Sequence, residues 1–99
     1  MDLQKLIIKQ MDGSESLLDG EHCSKISMME SPMTEDVYIL ILQHFVENHK
    51  GYKQALIDGK ETAYGATIVK DGKGLKFKVS QLPDDLQRII VRYLKVVSI

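Results

Sequence analysis

The stretch TIVKDGKGLKFKV, residues 67–79, decides the fold class. Two amphipathic helices are legible elsewhere in the chain, and this segment determines whether they pack only on each other or on a sheet. Leu75, Phe77 and Val79 alternate with Lys76 and Lys78, which is the period-two pattern of a half-buried strand. Asp71-Gly72 and Gly74 lie between this arm and the preceding ETAYGATIV, and glycines there can take the positive φ that tight hairpin turns require. The pattern predicts a β-hairpin over 62–79, with Leu75, Phe77 and Val79 toward the core and Lys76 and Lys78 in water.

The hairpin needs something to cover its apolar face. SPMTEDVYILILQHFVENHKG, from Ser31, predicts a helix over about 35–49, with Thr34 as N-cap, Glu35 and Asp36 at the positive end of the dipole, and Gly51 beyond the last turn. Val37, Tyr38, Ile41, Leu42, Phe45 and Val46 share its apolar face, and only Leu40 falls on the polar side. LPDDLQRIIVRYLKVV predicts a second helix over 83–97 that begins at Pro83 and is favoured at its start by Asp84 and Asp85. Leu86, Ile89, Ile90, Tyr93, Leu94 and Val97 share a face there, and Val91 is the one apolar residue opposite. The expected fold is therefore α+β, a small antiparallel sheet built around the hairpin and packed against these two helices.

The remaining segments read less sharply. DLQKLIIKQMDG matches helical spacing at Leu3, Leu6, Ile7 and Met11 but would also suit a strand, and YKQALIDG (52–59) suits a short helix or a turn. GSESLLDGEHCSKISMMESPM reads as loop with a short element, since Ser, Gly and Asp dominate it. A chain of 99 residues implies one domain, 1–99, with residues 1–33 partly loop.

Composition excludes several classes. The longest wholly apolar run, Val37 to Leu42, is far short of the roughly 20 residues of a spanning helix, so no membrane partner is expected. Cys23 is the single cysteine, which excludes an intrachain disulfide and a multi-cysteine zinc site, and fits a cytoplasmic protein. The net charge of −1 hides an asymmetry: residues 1–50 carry nine acids against four lysines, and residues 51–99 carry five acids against nine basic residues. Packing of one half on the other would account for that without a partner.

Each chemical motif has a plainer reading. Gly72 and Gly74 with Lys73 suggest a phosphate loop, but that motif must open a helix and a strand follows here. His22, Cys23, Met28, Met29 and Met33 are soft donors on paper, yet methionines in a loop between elements more often cap a core or patch an interface, so neither a metal nor a cofactor is expected. Cys23 could act as a nucleophile only if His44 or His49 were brought to it by the fold, and no catalytic residue is assigned. Lys70, Lys73, Lys76, Lys78, Arg88, Arg92 and Lys95 could together form a nucleic-acid face, although Phe77 points away from the lysines and offers them no stacking platform. Leu40 and Val91, apolar on otherwise polar faces, are candidates for a protein interface or homodimer. The leading expectation is a non-enzymatic interaction or regulatory protein that works through a protein partner or self-association. The alternatives are a nucleic-acid-binding protein and, third, a small thiol enzyme.

Overall fold

The computed structural model describes residues 2–49, 63–69 and 74–97. They form four α-helices, α1 (Leu3–Gln10), α2 (Gly20–Ser27), α3 (Met33–Asn48) and α4 (Asp84–Val96), and an antiparallel pair, β1 (Thr67–Ile68) and β2 (Leu75–Lys76). Short 3-10 turns at Ala63–Gly65 and Val79–Gln81 lead into β1 and out of β2. The architecture is the α+β fold expected, with a larger helical share and a smaller sheet. Gly51, the 52–59 segment, the Asp71-Gly72 turn and both Lys70 and Lys73 lie outside the described residues.

In the first third of the chain the segment that suited helix or strand is the helix α1, and the short element within the expected loop is the helix α2; local capping starts both. The Asp2 carboxylate accepts from the Lys5 N–H at 3.2 Å and starts α1. At α2 the capping is reciprocal: Asp19 accepts from the His22 N–H at 2.9 Å, and the His22 ring Nδ1 accepts from the Asp19 N–H at 3.3 Å. These bonds satisfy donors that a helix start otherwise leaves open.

α3 is the centre of the molecule. It packs against α1, α4, β1 and the turn at Ala63–Gly65, so side chains on more than one of its faces are covered. Val37, Leu40, Ile41 and Phe45 meet Leu86, Ile89, Ile90, Val91, Tyr93 and Leu94 of α4, with Ile7, Leu18, Ile26, Met29, Leu75 and Leu82 completing the core. The assignment of Leu40 and Val91 to an exposed interface is thus corrected: they are 0% and 1% exposed. The physical reason is that each helix has more than one neighbour: α1 packs on both α3 and α4, and the segment from Asp12 to Leu18 also reaches α4, at Arg92 and Gln87, so faces that a single-partner helical wheel marks as outward are covered.

Other local expectations shift for similar reasons. α3 begins at Met33 with Pro32 at its N-cap, and Thr34, expected to cap it, is fully buried with its hydroxyl unpartnered among the described residues. Pro83 stands at the N-cap of α4 and not inside it. Leu75 is buried as expected, while Phe77 is half-buried and Val79 leaves the strand for the 3-10 turn. Gln87 interrupts the apolar face of α4, yet it is buried as a clamp. Its Oε1 accepts from the Leu18 N–H at 3.2 Å, and its Nε2 donates to the Leu82 and Val79 carbonyls at 2.9 and 3.2 Å. No helix among the described residues is long and apolar enough to cross a membrane.

Candidate functional site

Three features other than the core bear on function: a buried histidine network, the remaining cations, and two surface recesses bordering α2. The network joins residues 20 and 41 positions apart. His44, 3% exposed on α3, has its Nδ1 2.9 Å from the Tyr64 hydroxyl and its Nε2 2.9 Å from the Asp85 carboxylate at the start of α4. One neutral tautomer satisfies both contacts: Tyr64 O–H donates to Nδ1, and Nε2–H donates to Asp85. Tyr64 sits at φ 51°, an uncommon conformation for a non-glycine residue. Gly65 follows at φ +74°, and a Cβ there would meet Gln81 Oε1 at 2.8 Å, so this turn requires glycine.

The order Tyr, His, Asp resembles a nucleophile, base and orienting acid, but the chemistry runs the other way. Burial, followed by the nearby Asp85 charge, pushes the Tyr64 phenol above its ordinary value, whereas a nucleophile needs its ionised form made accessible. For Asp85, burial opposes ionisation, but the hydrogen bond from His44, with the Leu86 and Asp85 backbone N–H groups, outweighs it and leaves the carboxyl below its ordinary range. The rings of Phe45, His49 and Tyr64 pack together beside His44, with Phe45 and His49 stacked at 4.4 Å. The arrangement is a tie between α3, the turn before β1 and the start of α4. His44→Ala is expected to lower stability by about 1–3 kcal/mol, the cost of removing a buried ring together with its hydrogen bonds to the half-buried Tyr64 and the exposed Asp85. Chemical unfolding checks this, and a variant as stable as the parent would contradict it.

The expected basic face is depleted. Arg92 is folded inward against the acidic N-terminal strap: its Nε donates to Glu15 Oε2 at 2.7 Å, and its Nη2 donates to Asp12 Oδ1 at 2.8 Å and again to Glu15. Arg92 is therefore withdrawn from the candidate nucleic-acid set, because the acidic half of the chain has taken it. Lys76, Lys78, Arg88 and Lys95 remain exposed. Arg88 rims a recess between α1 and α4 floored by Ile8, Met11 and Ile89.

Cys23 offers little for thiol chemistry. Burial, then the Asp19 charge, pushes its thiol above the ordinary value, and His44 is already engaged with Tyr64 and Asp85. Among the described residues no group of three or more His, Cys, Asp or Glu side chains could hold a metal ion.

Both recesses border α2. One, of about 340 Å³, is a cleft between α2 and β2 lined by Cys23, Ile26, Leu75, Phe77 and Val79. The other, of about 470 Å³, is lined by Met28, Met29 and Met33 with Lys25 and Glu30 at its rim. Met28 is 82% exposed, far more than any other large apolar side chain among the described residues. Sequence spacing could not find the cleft, which depends on how α2 packs against β2, whereas the methionine recess is built from residues 25–33 alone and its Met28, Met29 and Met33 stand out as a group in the sequence. We find no family model, curated protein or solved structure that matches the chain.

Proposed function

We propose that this is a non-enzymatic interaction protein that acts by binding a protein partner. The observation that carries the reading is the methionine recess, where Met28 stands almost fully in solvent beside Met29 and Met33. Exposed methionine is unfavourable without a use, and its unbranched, polarizable side chain adapts to apolar partner surfaces. The raised Tyr64 and Cys23 ionisations fit that reading, because burial works against the ionised form that a nucleophile needs.

Nucleic-acid binding is less well supported by what remains exposed. The loss of Arg92 thins the cationic set, and Phe77 lines the cleft and does not stand beside the lysines.

Met28→Glu tests the reading, since at 82% exposure it should leave the fold intact. Light scattering over a wide concentration range and affinity capture from the native lysate would be run on parent and variant together. The expected result is a defined complex with the parent that weakens about tenfold or more in the variant, equivalent to about 1.4 kcal/mol of binding. Equal recovery of every species by the two proteins, with both monomeric throughout, would contradict it.

A further inference from the structure

Among the described residues, the hairpin register leaves one edge of β2 with a defined set of unused hydrogen-bonding groups. Thr67 lies opposite Lys76 and Ile68 opposite Leu75, and one step toward the turn the Val69 N–H donates to the Gly74 carbonyl at 3.0 Å. In an antiparallel ladder bonded and non-bonded pairs alternate. Val69/Gly74 is bonded, so Ile68/Leu75 is not and Thr67/Lys76 is. Lys76 therefore turns its N–H and C=O toward β1, and Leu75 and Phe77 turn theirs away. Among the described residues the sheet has only these two strands. Lys78, two residues beyond β2, is itself extended, at φ −105° and ψ 119°. Side chains follow the same parity: Leu75 and Phe77 line the 340 Å³ cleft against α2, and Lys76 and Lys78 are exposed on the other face.

We propose that this outer edge of β2 binds an extended acidic segment of a partner protein by antiparallel strand addition. Its apolar residues enter the cleft against Cys23 and Ile26, and its intervening acids lie beside Lys76 and Lys78. An open strand edge is a template for another strand, with backbone bonds supplying affinity and alternate side chains supplying specificity. Charge selects the occupant. A second copy pairing two-fold through the same edge would set Lys76 against Lys76 or Lys78, and like charges directly opposite are destabilising. Glutamate or aspartate at those positions reverses the sign of that interaction. The cleft shares no lining residue with the methionine recess, so the two readings stand or fall separately.

The test uses the full chain and a fluorescent heptapeptide alternating valine with glutamate, followed by fluorescence anisotropy. Two further peptides carry backbone N-methyl groups on the valines or on the glutamates. In antiparallel addition the residues facing Leu75 and Phe77 are the valines, so methylation there should abolish binding and methylation on the glutamates should be tolerated. Replacing the glutamates by lysine, or making Lys76→Glu with Lys78→Glu, should weaken binding about tenfold or more, with the melting temperature of the variant confirming that it folds. The proposal is overturned by no saturable binding at millimolar peptide, by equal binding of the lysine peptide, or by tolerance of methylation at both sets. It is also overturned if the protein binds a single-stranded oligonucleotide through these lysines and not the peptide.

Discussion

Leu40→Ala is expected to lower the unfolding free energy by about 2–5 kcal/mol, the range for truncating a fully enclosed leucine whose surroundings cannot collapse. Leu40 has no exposed surface in a helix contacted by α1, α4 and the hairpin side of the molecule, so the cavity would be walled by separate elements. Leu6→Ala is the internal control. Leu6 is 44% exposed on α1, and truncation there should change stability by no more than about 0.5 kcal/mol. Urea unfolding of both variants separates the positions. Similar small effects would return Leu40 to the surface and remove α3 from the centre of the fold.

Arg92→Met should destabilise the protein at neutral pH and make it less sensitive to acid. Glu15 has only 1% of its side chain exposed, and it is held by the Asp12 and Gly13 N–H groups at 3.1 and 3.0 Å as well as by Arg92. Burial works against its ionised form, but these donors outweigh that effect and keep the carboxyl below the ordinary range. Asp12 is lowered too, chiefly by the Ser14 hydroxyl and N–H, with Arg92 adding its charge. A carboxyl depressed in the folded state stabilises above its unfolded pKa, about 4 for these residues, and that contribution drains away as pH falls further. The parent should therefore lose stability steeply on acidification. In the variant Glu15 is left buried without its cation, so the gap in melting temperature should be wide at pH 7 and narrow toward pH 3. A gap that does not change with pH would mean that Arg92 contributes only packing.

These two residues also show where sequence patterning stops. α3 and α4 were legible because their apolar spacing, Asp and Glu at the first turn and flanking prolines agree with one another. The hairpin was legible because alternation fixes which side of a strand each residue takes. Patterning assigns a helix one covered face, however, and Leu40 and Val91 are buried in helices that pack against several neighbours, which no helical wheel contains. α2 is legible only as an unspecified short element, because its cap uses His22 in the position usually held by Glu or Gln and the surrounding Ser, Gly and Asp suggest loop. Arg92 was recognisable as a cation but not as one already paired, since its partners are 77 and 80 positions away. The His44 network was hidden for the same reason, and Asp85 seemed fully explained by the helix dipole. Lys76 and Lys78 were placed correctly from parity alone, and parity then identifies the backbone groups beside them as the unused ones.

Residue-resolved amide exchange on the hairpin tests the strand-edge account most directly. In the free protein the amides of Thr67, Val69 and Lys76 should exchange slowly, and those of Leu75 and Phe77 faster, in the alternation set by the register. On saturation with the valine–glutamate peptide, Leu75 and Phe77 should slow to match Lys76. Leu75 and Phe77 as protected as Lys76 before any peptide is added would mean that the edge is already occupied, and would contradict the account.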